Sequence, residues 1–258
     1  MIITKLQGGV GNQLFQYACG RSASSKYLTK QYLDTRFYKS QSKRTFDLGK
    51  FTNANIDTNL DMIQANYPII RIGDSFIYTP ITNPVDCNYY LDGYWQSEKY
   101  FIESENIIRE DLSPSKEMID FLQRTPYLNS NSLSIHVRRT DYLESNGYHP
   151  VQTIEYYKNA VDVIGEYDKI FVFADDINWC KENFKFKNMI FMEGFTDIQD
   201  LYLMSYCKNN IIANSSFSWW GAWLNKNINK KVISPRSWFG SHVELSDLDI
   251  IPQKWTRI

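Results

Sequence analysis

Arg138 and Arg139 stand side by side at the end of a short apolar run, with Asp141 close behind them. In Ser132-Leu-Ser-Ile-His-Val-Arg-Arg-Thr-Asp141, the apolar Leu133, Ile135 and Val137 alternate with Ser132, Ser134 and His136. That period of two predicts a strand that gives out into the charged cluster. Ligands of open α/β sheets bind outside the carboxyl ends of the strands. Two guanidiniums placed there predict an anion site, and a diphosphate suits their paired donors best. The competing reading is an arginine braced by Asp141 in a surface ion pair.

Two further strand ends carry polar groups. In Phe173-Ala-Asp175-Asp176 the acids either cap the next helix or bind hydroxyl and amino groups of a ligand. In Ala213-Asn214-Ser215-Ser216-Phe217-Ser218 the hydroxyls and free backbone amides open a helix, which makes a phosphate seat. A hydrogen bond to a charged group contributes roughly 1.5–3 kcal/mol, and a helix N-terminus roughly 0.3–1 kcal/mol. Arg138 therefore dominates such a site. Its contribution matters most where the diphosphate is a leaving group, because charge then grows in the transition state.

The elements that must position these groups follow a regular rhythm. After Leu133–Val137 come a helix near 153–164, strand Lys169–Ala174, helix Ile177–Phe184 and strand Met189–Phe191. Helix Ile198–Tyr206, strand Asn210–Ala213, helix Phe217–Leu224 and strand Lys231–Ile233 complete the pattern. Repeated β-α alternation predicts a parallel sheet covered by helices. Trp219, Trp220 and Trp223 share a helical face and are expected to be packing.

The first half opens with strand Ile2–Leu6, a glycine turn, a helix carrying Leu14, Phe15, Ala18 and Cys19, and a strand at Gln31–Leu33 ending in Asp34. The small residues Gly20 to Ser25 let that helix approach a neighbour closely. Gly9-Val-Gly11 with Asp34 has the outline of a dinucleotide fingerprint, but Leu14 occupies the place of the third glycine, and no P-loop Gly-Lys-Ser/Thr follows. An ordinary βα turn and a ligand contact both fit. Residues 35–84 mix polar, aromatic and turn types, with a strand expected at Ser75–Tyr78. Cys87–Leu91 reads as a strand, Ser97 as the cap of a helix from Glu98, and a second helix, capped by Ser113 or Ser115, carries Met118, Ile119 and Leu122 and stops near Arg124-Thr-Pro126. The polar stretch 129–132 is the expected boundary between domains 1–128 and 129–258.

Composition narrows the classes. A chain of 258 residues with 43% apolar and 22% charged residues is ordinary for a globular protein. A net charge of −1 excludes a global basic field for nucleic acid. Four scattered cysteines form no Cys-x-x-Cys pair, and three dispersed histidines suggest no metal cluster. No apolar run reaches the roughly 18 residues of a membrane span, so a cytoplasmic address is expected. Aromatic residues, at 16%, exceed the usual share and suit sugars and bases as well as cores.

His136-Val-Arg-Arg-Thr-Asp141 resembles the His-x-Arg-Arg-x-Asp motif of α1,2-, α1,6- and protein O-fucosyltransferases. Gly8-Gly-Val-Gly-Asn-Gln-Leu-Phe-Gln-Tyr17, Leu91-Asp-Gly-Tyr-Trp-Gln-Ser-Glu-Lys-Tyr100 and Asn214-Ser-Ser-Phe-Ser-Trp-Trp-Gly-Ala222 resemble the α1,2-fucosyltransferases of glycosyltransferase family 11. The resemblance implies a GT-B fold, with two Rossmann-like α/β domains facing a cleft. The N-terminal domain would lie on the acceptor side and the C-terminal domain would bind GDP-fucose. It implies inverting transfer of L-fucose to the 2-hydroxyl of a terminal galactoside, without a metal or other cofactor. By position, Arg138 would grip the β-phosphate, with Arg139 beside it. His136, Asp175 and Asp176 would lie along the nucleotide, and the Asn214 to Ser218 turn near the phosphates. Gly9, Gly11 and Asn12 would form the wall from the other domain, Asn12 reaching the donor sugar or phosphate. Asp141 and Glu144 are the candidates for a catalytic base, with Asp141 equally able to orient an arginine; His149 has no assigned role.

The acceptor would be an O-antigen repeat or another oligosaccharide. A lipid-linked acceptor would bring the protein to the inner face of the membrane. Asp247-Leu-Asp249, a triplet of the kind that holds metal in other glycosyltransferases, is read as a solvated turn. The alternatives from other classes are an NAD(P)-dependent oxidoreductase, on Gly9, Gly11 and Asp34, and a non-catalytic glycan-binding protein, on the aromatic content.

Overall fold

In the computed structural model, residues 1–40, 43–59, 69–71, 76–82, 89–128 and 130–258 are described. They fall into two compact units, Met1–Ser115 with Leu245–Pro252 and Lys116–Glu244 with Gln253–Ile258.

The first unit contains β1 (Ile2–Lys5), α1 (Val10–Lys26), β2 (Gln31–Asp34), β3 (Ile69–Arg71), β4 (Tyr89–Asp92) and α2 (Glu105–Asp111). Its strands are parallel and ordered β2-β1-β4-β3. The expected βαβ unit is present, with Ile2 opposite Gln31 and Lys5 opposite Asp34. Ile2, Ile3, Leu33 and Leu91 are buried, as a parallel sheet covered by helices requires. Gly20 is what lets α1 lie against β1, since a Cβ there would stand 2.0 Å from Thr4 Oγ1.

Beyond β4 the chain departs from expectation. Ser97 Oγ accepts from the Lys99 N–H as a cap, but single 3₁₀ turns at Glu98–Tyr100 and Ile102–Ser104 precede the α-helix, which starts at Glu105. The strand expected at Ser75–Tyr78 is not formed over 76–78, and Ser75 lies outside the described residues. Residues 87 and 88 of the expected Cys87–Leu91 strand also lie outside them.

The second unit contains α3 (Lys116–Arg124), β5 (Ser132–Val137), α4 (Thr140–Leu143), α5 (Ile154–Ile164), β6 (Lys169–Ala174), α6 (Ile177–Asn183) and β7 (Met189–Phe191). There follow α7 (Asp197–Tyr206), β8 (Asn209–Ile211), α8 (Ser216–Leu224), β9 (Val232–Ser234) and β10 (Thr256–Arg257). The chain divides ahead of α3, at 115/116 rather than 128/129, because α3 packs with this unit. Phe121 lies 5.7 Å from Phe195, and Leu122 and Leu128 are buried.

All strands of this sheet are parallel, in the order β10-β9-β8-β5-β6-β7. Caps set the helix starts: Thr153 accepts from the Tyr156 N–H, and Thr196 and Gln199 form a reciprocal capping box. Trp219, Trp220 and Trp223 are buried against one another as expected, with Trp219 also 5.3 Å from Trp255. Gly221 admits α7, because a Cβ there would stand 2.9 Å from Met204 Cβ.

The order places β5 between two halves. The chain winds from β5 to β6 and β7 on one side, then returns to β8, β9 and β10 on the other. The winding reverses between β5 and β8, and such a switch point opens a crevice at the carboxyl ends of the strands.

Candidate active site

The three polar strand ends singled out in the sequence belong to neighbouring strands. β5 pairs with β6 through Val137 opposite Ala174, and with β8 through Ile135 opposite Ile211. Arg138 and Arg139, Asp175 and Asp176, and Asn214 to Ser218 therefore leave one edge of one sheet, with the switch point between the first and third groups.

Arg138 is held by acids. Its Nε and Nη2 donate to the two oxygens of Asp141, each at 2.8 Å, and Nε lies 3.4 Å from Asp175 Oδ2. Burial works against its charge, but Asp141 and Asp175 outweigh that and raise its pKa further. Among the described residues Nη1 has no partner. Arg139 turns the other way, with Nε 3.3 Å from Asp176 Oδ2 and its guanidinium 3.9 Å over the Trp179 ring.

The acids of β6 are engaged within the protein. Asp175 accepts from the Arg139 N–H at 2.9 Å, the Thr140 N–H at 3.1 Å and the Thr140 hydroxyl at 2.6 Å. It thus caps α4, the short helix that shapes the arginine loop. Asp176 caps α6 through the Trp179 N–H at 3.1 Å. Glu144, just after α4, is exposed, and among the described residues its carboxylate has no partner.

His136 is buried, with its ring 5.5 Å from that of Phe217. Its Nδ1 is buried without a partner among the described residues. Burial, helped by Arg138, pushes its pKa down to about 3, so the imidazole is neutral.

The third group is fixed from several sides. Asn214 donates to the Trp238 carbonyl at 3.0 Å and accepts from Gln152 at 3.0 Å, while its own carbonyl accepts from the Tyr142 hydroxyl at 2.8 Å. Ser215 precedes α8 without a side-chain cap, and the Ser218 hydroxyl donates to the Ser215 carbonyl. The first turn, Ser216 and Phe217, is half-buried. The first N–H groups of α8 are unpaired by the helix itself, as at every helix start. His149 is stacked between Tyr142 (4.9 Å) and Phe239 (5.5 Å). Burial lowers its pKa, and the nearby Trp238 backbone only partly compensates.

In the first unit the glycine turn is also built by its neighbours. The residue that needs to be glycine is Gly8, at φ +80, where a Cβ would stand 2.6 Å from Asn12 Nδ2. Gly9 is the N-cap of α1 with φ −78, and Gly11 lies within the helix. Asn12 Oδ1 accepts from Gln96 Nε2 at 2.8 Å. Asp34, the acid of the fingerprint outline, accepts from Arg36 through both oxygens and from the Tyr90 hydroxyl at 2.7 Å. Although burial opposes it, those bonds hold the Asp34 carboxylate below its ordinary range, and no oxygen is left over for a ribose.

Asp249 is not the solvated turn expected from the sequence. Its carboxylate is largely buried, paired with Lys99 and accepting from the Tyr78 N–H at 2.7 Å. Among the described residues no group of three or more His, Cys, Asp and Glu side chains could hold a metal ion, and no helix is long and apolar enough to cross a membrane. Cys19, Cys180 and Cys207 are buried thiols. Sequence reasoning missed Thr140, Tyr142, Gln152 and Gln96. Each is an ordinary polar residue whose partner lies far along the chain.

Comparison with known proteins bears on this geometry. Residues 56–258 match the family described as Glycosyl transferase family 11. An α1,2-colitosyltransferase of Escherichia coli is 35% identical, over all of this chain and 99% of its own length. A galactoside 2-α-L-fucosyltransferase of Caenorhabditis elegans is 25% identical, over 88% of this chain and 70% of its own. Among solved structures, the fucosyltransferase NodZ from Bradyrhizobium superposes with a TM-score of 0.56 at 13% identity, covering 93% of this chain and 96% of that one. NodZ, described as an α1,6-fucosyltransferase, has also been solved after soaking with GDP-fucose. That likeness shows the fold, which is GT-B.

Proposed function

Because the chain belongs to glycosyltransferase family 11, we propose that it moves L-fucose from GDP-β-L-fucose to the 2-hydroxyl of a terminal β-galactoside. The transfer would invert the anomeric carbon and use no metal. The observation that carries the reading is Arg138, clamped by Asp141 at the switch point of the second sheet, beside the uncapped start of α8. A guanidinium and a helix start at one strand edge suit a diphosphate, and charge grows on that diphosphate as the sugar leaves. Donors already in place then stabilise the transition state more than the ground state.

The roles divide accordingly. Arg138 meets the leaving diphosphate through its Nη1 edge, and the N–H groups of Ser216 to Ser218 add to it. His136 and Phe217 lie along the nucleotide, and Asn12 offers its amide to the donor sugar or phosphate. Asp175, Asp176 and Arg139 shape the loop. Glu144 is the better candidate for the base that takes the acceptor's proton, since both Asp141 oxygens are occupied by Arg138.

The 35% identical colitosyltransferase supports a second reading of the donor. Colitose is fucose without its 3-hydroxyl, so a site for one differs from a site for the other by a single polar contact. The acceptor is proposed to be an O-antigen repeat or a free oligosaccharide, reached in the cytoplasm or at the inner membrane face. Incubation with GDP-fucose and GDP-colitose against a panel of galactosides, with linkage read by NMR, decides among these. An α1,2-linked product from either donor supports the transferase. Failure to transfer from both sinks it.

A further inference from the structure

Gln96 follows β4, a strand that pairs in parallel with β1 through Thr4 opposite Leu91. In the first sheet β1 is the strand at which the winding changes side, with β2 on one flank and β4 on the other. The carboxyl ends of β1 and β4 therefore flank that sheet's own crevice. From one side comes the turn Gly8 to Asn12, and from the other Gly93 to Gln96.

Trp95 makes that second side unusual. Its φ is +56, a left-handed conformation that a bulky side chain rarely adopts. The backbone is held there from both directions. The Trp95 ring is buried with Ile2, Cys19 and Leu91 and lies edge-on to Tyr100 at 5.2 Å. Its carbonyl accepts from the Ser97 N–H at 2.8 Å, and Ser97 then caps the following turn. Such an outlier persists only where its surroundings over-determine it, and its consequence is the thing to look for. Here the consequence is the direction of Gln96, whose Nε2 donates to Asn12 Oδ1 at 2.8 Å.

That bond fixes which end of the Asn12 amide is used up. Oδ1 is engaged, and Nδ2 rests over Gly8, where only the missing side chain leaves room. Among the described residues Nδ2 has no acceptor. We propose that Gln96 is a positioning residue for the transfer reaction, holding the Asn12 amide so that its Nδ2 N–H is presented to an oxygen of the sugar nucleotide. The inference rests on the reading of Asn12 as a substrate contact. Gln96 itself touches Asn12 and acts through it.

Three variants and their combinations test it. Gln96→Ala and Asn12→Ala should each cut kcat by about tenfold to hundredfold, the cost of a misplaced contact, with unchanged circular dichroism. The double variant should lose no more than Asn12→Ala alone, because Gln96 has nothing left to position. Gln96→Glu should be impaired at pH 7.5, where an ionised carboxylate faces Asn12 Oδ1. It should recover as pH falls toward about 4.3, where the protonated acid again donates. Multiplying losses in the double variant, or wild-type turnover in Gln96→Ala, overturns the proposal. A readout without substrate separates it from the functional reading: the Asn12 side-chain ¹⁵N–H signals should shift in Gln96→Ala. If they do not move, Gln96 is not positioning that amide, whatever the enzyme transfers.

Discussion

Arg138 owes its orientation to carboxylates, and that decides what substitutions there should do. Asp141 takes two of its donors in a forked pair, a geometry a lysine ammonium cannot reproduce. Arg138→Ala should lower kcat by about 10²–10³-fold, the usual cost of one preorganised donor at a developing charge, and Arg138→Lys should recover little of it. Circular dichroism should not change in either variant. The same pairing separates Asp141 from Glu144. A general base must be ionised to act, so the rate climbs with pH through its pKa, and losing the base costs about 10²–10⁴-fold. Glu144→Gln should flatten the acid limb of the kcat profile. Asp141→Asn should leave that limb in place and lower the rate by about tenfold to hundredfold, as loss of a supporting partner does. An acid limb that disappears with Asp141 instead would make Asp141 the base.

At the scale of elements, α1 does more than cover its sheet. Gln13, fully buried in its first turn, donates to the Thr45 carbonyl at 2.8 Å and accepts from the Asp47 and Leu48 N–H groups at 2.8 and 3.0 Å. It also donates to the Gly8 carbonyl at 3.2 Å, so one amide ties the glycine turn to residues 45–48. Replacing it by leucine would leave buried backbone groups unpaired, at about 1–3 kcal/mol each. Gln13→Leu should therefore lower the urea midpoint of the folded protein clearly, while Asn12→Ala, with its half-buried side chain, should not. Equal midpoints in the two variants would count against that account. The helix itself was plain in the sequence, whereas this use of its amides was not, because the partners lie 32 to 35 residues away. The second unit was legible for a local reason: β6, β7 and β9 are compact apolar runs, β5 alternates apolar with polar residues, and Thr153 and Asp176 stand at helix starts. Three short elements, α4, β3 and β10, were not read, because none of them carries an apolar pattern of its own. The site shows the same division. Arg138, Asp175 and Ser215 were visible as polar groups at strand ends. That Asp175 caps α4 through the Arg139 and Thr140 N–H groups depends on β5 lying beside β6, which no local pattern encodes.

At the scale of the molecule, the chain leaves the second unit after Glu244, adds residues 245–252 to the first, and returns with 253–258. Each visit is fastened separately. In the first unit Asp249 pairs with Lys99 and accepts from the Tyr78 N–H. In the second, Thr256 and Arg257 add an edge strand beside β9, and Trp255 packs on Trp219. Removing residues 253–258 should therefore weaken the second unit alone, and Asp249→Ala the first alone. The two losses should add, since the sites share no partner. The Asp249 pair also sets a pH dependence. Burial raises the pKa of Asp249, but Lys99 and the Tyr78 N–H outweigh it and hold it below the ordinary value. A carboxylate depressed in the folded state stabilises fully above its unfolded pKa, about 3.9, and that share is lost as pH falls through the folded value. Calorimetric scans at pH 7 and near pH 3 should show the gap between wild type and Asp249→Asn shrinking in acid. A gap that stays constant or widens would mean that Asp249 acts through packing, and that its charge does not hold the returning segment in place.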